Sequence, residues 1–316
     1  MKKKMREAII MIPKMQLGRS GLQVPVVAVG CMRMAGKTVE EARALIHSAL
    51  EEGANFFDHA DIYGRGRSEE IFAEAVGMSP SVREGLILQS KCAIHDGMYD
   101  FSKEHILSSV DGSLKRLKTE YLDVLLLHRP DILMEPDEVA EAFVKLKAEG
   151  KVRHFGVSNH NPMQMQLLQK SLPMPLVADQ LQFSITNSTM ITAGVNVNML
   201  NDAALDRDGS VLDYCRLNDI TIQPWSPFWH GAREGVYVGS PTFPELNEKL
   251  NEVAASHGIT PTGAVIAWML RHPAHMQPVA GSMNPARMKE ILAGANVRLS
   301  REEWYSIYKA AGNKLP

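Results

Sequence analysis

Short apolar runs and amphipathic stretches alternate along almost the whole chain. The runs VVAV (26–29), ANFF (54–57), LILQS (86–90), LDVLLL (122–127), RHFGV (153–157), LVADQ (176–180), ITIQP (220–224) and QPVAG (277–281) are apolar with little interruption. A strand exposed on one face would alternate, so this pattern predicts parallel strands covered on both faces. Between the runs, helix-like stretches span 39–51, 68–77, 103–117, 137–149, 162–170, 209–217, 244–256, 261–271 and 284–293. Gly53 and Gly150 stand just past two of these stretches, and Pro162 and Pro285 near the starts of two others, where helices accept them best. MQLGRSGLQVP (15–25) reads as a hairpin ahead of the first strand, and SREEWYSIYKAAG (300–312) as a further helix after the last unit.

Eight strand–helix units with no composition break or low-complexity linker predict one α/β domain over residues 1–316. The expected fold is a (β/α)8 TIM barrel with an N-terminal β-hairpin and an extra C-terminal helix. An open doubly wound nucleotide-binding sheet would carry G-x-G-x-x-G after its first strand, and GCMRMAG (30–36) does not match it.

Composition narrows the partners. At 45% hydrophobic and 22% charged, 316 residues can bury a large core. A net charge of −2 gives no basic footprint for nucleic acid and no long-range attraction to anionic membranes. Any anion must therefore be caught locally. Cys31, Cys92 and Cys215 are odd in number and lack CxxC spacing, so neither a disulfide framework nor a zinc-thiolate site is indicated, and a reducing cytoplasm fits. In MKKKMREAIIMIPKM the apolar run from Ile9 to Ile12 is too short for a signal segment or a membrane span, and it reads as a soluble leader into a first strand.

In such a barrel, side chains at the C-terminal strand ends share one mouth. The residues at or just past those ends are Asp58, Lys91, His128, Ser158 with Asn159, Gln180, Trp225, and Gly281 with Ser282. Tyr63 lies on the loop after the second strand and belongs to the same rim. Lys91 ends an apolar strand and must find a counter-charge there or stay in the mouth. Asp61 reads as a turn cap, and Cys92 as a small core residue behind the site.

The chain resembles the aldo-keto reductase superfamily, in its bacterial NADPH-dependent oxidoreductase branch. The matching pieces are LGRSGLQVP, FFDHADIYG with SEE, SKC (90–92), YLDVLLLHRPD (121–131), GKVRHFGVSN (150–159), PWSPF (224–228) and VAGSMNPARMKE (279–290). The resemblance implies a catalytic tetrad of Asp58, Tyr63, Lys91 and His128. The chemistry is coherent in its own right. Hydride delivered to a carbonyl carbon leaves negative charge on oxygen, which needs a proton or strong hydrogen bonds. Tyr63 would be the acid, Lys91 the ammonium that eases loss of its proton, Asp58 the anchor of Lys91, and His128 a second hydrogen bond to the carbonyl. Relatives commonly carry a small hydroxyl residue at position 59, so His59 is expected to pack or hydrogen-bond behind the site.

For the cofactor, the resemblance implies Ser158, Asn159 and Gln180 on the nicotinamide carboxamide, Trp225 stacked on its ring, and Ser226 to Phe228 along the pyrophosphate. A second anion site can be read directly. Asn284 and Pro285 look like the cap and first residue of a helix whose free N–H groups face an anion, and Arg287 adds a fixed charge one turn in. With Ser282, and with Glu290 near the adenine, this favours NADP(H) over NAD(H). Many relatives have lysine where Gly281 stands, which weakens that preference. Met32, Met34, Phe228 and Trp229 are expected to form an apolar wall for a small-molecule carbonyl substrate, either an aldehyde, a ketone or a quinone-like compound. The family default is a monomer.

Two other functions use the same residues. A metal-dependent hydrolase would need Asp58, His59, Asp61 and His128 to converge on one point, which adjacent residues 58 and 59 disfavour. A non-catalytic redox-sensing module would bind NADPH and need no turnover.

Overall fold

The computed structural model describes residues 11–316, and the basic leader over residues 1–10 lies outside the described residues. Eight strands carry the site: β1 (Ala28–Gly30), β2 (Phe56–Asp58), β3 (Ile87–Cys92), β4 (Leu122–Leu127), β5 (Val152–Ser158), β6 (Leu176–Gln180), β7 (Thr221–Ile222) and β8 (Val279–Ala280). All neighbouring pairs are parallel, from β7 through β1 to β8. The ring closes where Gln277 N donates to Ile222 O (3.0 Å) and Val279 N to Pro224 O (2.9 Å). The fold is a (β/α)8 barrel. Helices Val39–Glu51, Lys103–Leu117 and Pro261–Arg271 match their expected limits, and the others shift by one or two residues.

Inward and outward side chains separate with the period of two that a strand imposes. Outward residues such as Phe57, Leu88, Leu125 and Phe155 pack under the helices. Inward residues Ala28, Phe56, Ile87, Val124, Leu126 and Ala178 make a separate apolar layer inside the barrel. The hairpin of Lys14–Gln16 and Gln23–Pro25 closes that layer from below with the fully buried Leu17. This approach depends on Gly18 at φ +48°, because a Cβ there would lie 2.3 Å from Val177 O. Two residues further along β2, β3 and β6, the inward chain turns polar at Asp58, Gln89 and Gln180, and Lys91 follows on β3. The apolar floor thus ends where the polar site begins.

The differences from sequence expectation have local causes. The first ladder starts at Ala28 rather than Val26, because Val26 N pairs instead with Pro13 O, extending the hairpin. The helix expected from 209 begins at Val211. The Asp206 carboxylate gathers the N–H groups of Asp208, Gly209 and Ser210, and the last two sit at φ +70° and +60°. Helices Pro80–Glu84 and Thr189–Val195 and two small strand pairs, at 94–99 and 229–236, were not expected. Each is too short to show a period.

Candidate active site

The C-terminal strand ends open into a cavity of about 1240 Å³. It exceeds the range of roughly 300–1,000 Å³ usual for a small-molecule site. Every sequence-derived site residue except Lys91 lines it: Asp58, Tyr63, His128, Ser158, Asn159, Gln180, Trp225, Ser226, Phe228, Gly281, Ser282, Asn284, Arg287 and Glu290. Lys91 is fully buried behind that surface.

β3 delivers Lys91 into the barrel and β2 delivers Asp58 next to it. Lys91 Nζ donates to Asp58 Oδ2 (2.8 Å), His59 O (2.8 Å) and Tyr63 OH (3.1 Å), using all three of its protons. Burial works against the ammonium, but the Asp58 charge and the Tyr63 oxygen outweigh it and hold its pKa above the usual lysine value. Asp58 Oδ1 accepts from Gln89 Nε2 (2.6 Å) and Gln180 Nε2 (3.0 Å). Those amides continue through Gln223 to Gln277, whose Nε2 donates to Pro25 O. This chain of glutamines was not anticipated from the sequence, although the inward step from Ile87 to Gln89 to Lys91 carries its signal.

Burial pushes the Tyr63 hydroxyl above its ordinary pKa, Lys91 pulls it back only in part, and Asp58 adds to the rise. The Lys91 ammonium acts in the expected direction, easing loss of the Tyr63 proton, but burial is the larger effect and the resting phenol stays protonated. The Tyr63 and His128 rings meet edge to face at 5.9 Å. Burial, then the charges of Lys91 and Arg129, lower His128 to about 2, so its imidazole is neutral. Its Nδ1 is buried without a partner.

The adjoining wall is pre-organised. Trp225 Nε1 donates to Asn159 Oδ1 (3.0 Å), and Asn159 Nδ2 donates to Ser158 Oγ (2.8 Å) and His128 O (3.3 Å). Asn159 and Ser226 follow strand ends at φ +61° and +55°, conformations that cost non-glycine residues free energy. Gln180 Oε1 accepts no hydrogen bond among the described residues and is free for a donor in the cavity. At the far end, Asn284 caps helix Pro285–Ala293 by accepting from Arg287 N, and Arg287 has no acidic partner among the described residues. A Cβ at Gly281 would meet nothing within 4 Å. A free amide oxygen at one end and a capped helix N-terminus with an unpaired arginine at the other fit a dinucleotide.

Several neighbours resolve differently from expectation. Met32, Phe228 and Trp229 line the cavity, whereas Met34 is fully buried in the core and forms no part of the wall. Asp61 accepts no hydrogen bond at Oδ1 and faces a second, smaller crevice. Burial and the nearby Glu69 charge raise it to about 7, against the opposing pull of hydrogen bonds from the Ile62 N–H and Ser109 and the Arg116 charge. His59 packs edge to face on Phe72 at 4.6 Å, with neither ring nitrogen hydrogen-bonded, so packing and not a hydrogen bond is its role. The four candidate metal ligands thus diverge, and among the described residues no group of three or more His, Cys, Asp or Glu is placed to hold a metal ion. Cys92 is buried and its thiol is pushed well up by desolvation, against redox sensitivity. Arg33 and Arg129 also line the cavity and were not foreseen as site residues.

A model of the aldo/keto reductase family matches residues 26–311. The 6-dehydroglucose reductase of Novosphingobium aromaticivorans is 33% identical over 314 residues, covering 95% of this chain and 96% of that protein. Oxidoreductase YdhF of Escherichia coli K12 is 35% identical over 277 residues, covering 85% and 86%. Uncharacterized oxidoreductase YcsN of Bacillus subtilis 168 is 35% identical over 295 residues, covering 87% and 90%. The crystal structure of a thermostable aldo-keto reductase in complex with the inhibitor epalrestat superposes with a TM-score of 0.75 at 26% identity, covering 94% of this chain and 99% of that one.

His59 provides a test of the buried site. Burial, then the Lys91 charge, lowers its imidazole to about 3, whereas an unfolded chain protonates histidine near 6.5. The unfolded state therefore binds the extra proton between those values, and stability is lost as pH falls through that window. Denaturant unfolding of His59→Leu and the parent at pH 8 and pH 5 is expected to differ in pH dependence by roughly 2 kcal/mol, with the variant less acid-sensitive. Parallel losses in the two proteins would contradict a buried neutral His59.

Proposed function

The chain belongs to the aldo/keto reductase family, and on that premise we propose that it is an NADPH-dependent reductase that converts a small carbonyl compound to its alcohol, with Tyr63 as general acid. The observation that carries this reading is the contact of one buried ammonium with both the Tyr63 hydroxyl (3.1 Å) and the Asp58 carboxylate (2.8 Å).

Bound NADPH would supply the hydride from its nicotinamide ring. Ser158, Gln180 and the Asn159–Trp225 pair would hold that ring, with Gln180 Oε1 the free acceptor for an amide N–H. Ser226 and Phe228 would follow the diphosphate, and Ser282, Asn284 and Arg287 the 2′-phosphate, beside the open Gly281 and with Glu290 near the adenine.

As charge grows on the carbonyl oxygen, Tyr63 donates its proton to it. A phenol raised by burial stays protonated until that moment. The Lys91 ammonium then stabilises the phenolate left behind, and its effect is largest because water is excluded. Asp58 keeps Lys91 charged and aimed, and the amides of Gln89 and Gln180 hold Asp58. Neutral His128 orients the carbonyl without competing for the proton. The apolar faces of Met32, Phe228 and Trp229 suit an uncharged carbon skeleton around the reacting group. We further propose that the protein works as a single-domain monomer in the cytoplasm, where its three free, buried cysteines stay reduced. No single helix among the described residues is long and apolar enough to cross a membrane.

Tyr63→Phe is expected to keep NADPH binding, read by fluorescence titration, while carbonyl reduction falls by roughly 10² to 10⁴. Unchanged turnover would remove Tyr63 from this role. Arg287→Ala is expected to weaken NADPH by about 10- to 100-fold with NADH changed little, as for loss of a charged hydrogen bond. Equal losses for both nucleotides would place the 2′-phosphate elsewhere.

A further inference from the structure

The charges lining the cavity are unequally paired. Asp58 is engaged by Lys91, and Glu41 by Lys37 at 3.2 Å. Arg33, Arg129 and Arg287 have no carboxylate partner among the described residues, against a single unpaired acid, Glu290. Arg287 and Glu290 lie one turn apart on helix Pro285–Ala293, at the nucleotide end. Arg33 and Arg129 are thus left without an assigned partner.

Arg129 follows His128 directly at the end of β4. It is half-buried, and its guanidinium carbon lies 5.7 Å from the centre of the Trp225 ring. Its charge is also one of the causes that depress His128. The guanidinium therefore lies close to the Trp225 ring and near enough to His128 to act on its charge. Arg33 lies on the loop after β1, which is tied to the start of helix Arg67–Val76, just past Tyr63, where Ala35 N donates to Ser68 Oγ (3.1 Å). Both cations line the same cavity as Tyr63 and His128, Arg33 from an exposed position and Arg129 half-buried.

A partly desolvated guanidinium left unpaired is costly, and its planar fork matches a carboxylate with two parallel hydrogen bonds. The aromatic face of Trp225 favours this orientation through a cation–π contact. We propose that Arg129, with Arg33 at the rim, forms an anion subsite, so that the preferred substrates are carbonyl compounds bearing a carboxylate a few bonds from the reacting carbon. This deepens the carbonyl-reductase reading and rests on it. The hydride enters at the carbonyl carbon, the Tyr63 proton at its oxygen, NADPH leaves as NADP⁺, and the carboxylate passes through unchanged.

The test uses the full-length protein with NADPH and two acid–ester pairs: phenylglyoxylate with its methyl ester, and 4-carboxybenzaldehyde with methyl 4-formylbenzoate. The parent protein is expected to prefer at least one acid over its ester in kcat/KM. Arg129→Gln should lower kcat/KM for that acid by about 10- to 100-fold, mainly through KM, with the ester within about threefold. NADPH affinity by fluorescence titration should stay as in the parent. Three results would each overturn the subsite: esters preferred by the parent, acid and ester losing rate together in Arg129→Gln, or weakened NADPH binding in that variant. The last would assign Arg129 to the nucleotide. Failure of the carbonyl-reductase reading itself shows separately, as absence of NADPH oxidation on any of the four carbonyls.

Discussion

A lysine side chain with no access to water is the constraint on which the rest of this structure depends. Lys91 keeps its charge inside the barrel because Asp58, the His59 carbonyl and the Tyr63 hydroxyl accept hydrogen bonds from its three N–H groups. Removing Asp58 would leave the buried ammonium without a counter-charge, at a cost of several kcal/mol. The segment from Asp58, at the end of β2, to Tyr63 is therefore held in place: it supplies all three partners of one cation. That arrangement fixes the Tyr63 phenol at the cavity wall, 3.1 Å from the ammonium.

The layers beneath explain how a charged group survives there. Leu17, Phe56, Ile87 and Val124 seal the lower barrel against water. Above them, Gln89, Gln180, Gln223 and Gln277 satisfy one another and Asp58. A partly satisfied network in this position would be worse than an apolar one, so the amides act as a unit. The strained backbone at Asn159 and Ser226 lines the same cavity. Free energy is spent there on orientation, and the barrel's apolar packing offsets it.

Much of this was legible in the sequence. Eight apolar runs of strand length, separated by helical spacing, specify a barrel, and a barrel places Asp58, Lys91, His128, Ser158 and Trp225 at one mouth. The resemblance then gave Tyr63 its role from a loop whose position periodicity alone leaves open. What was not legible depended on burial. Desolvation of Tyr63 outweighs the pull of Lys91, Met34 turns into the core although its neighbour Met32 lines the cavity, and Asp61 faces away from the site. Arg129 sits in HRPD, which reads as a turn; only its missing partner and its place beside Trp225 mark it as more. The inward glutamines were hidden because a single glutamine in an apolar strand looks like noise until three others face it.

The most direct measurement of the central claim is a double-mutant cycle on Asp58 and Lys91. Single-turnover rates of NADPH oxidation would be compared for Asp58→Asn, Lys91→Met and the double variant, each at saturating nucleotide and substrate. If Asp58 acts only by holding the Lys91 ammonium, removing it costs nothing further once that ammonium is gone, and the double variant should match Lys91→Met to within about threefold. Losses that multiply would show two independent contributions and contradict a site organised around one buried cation.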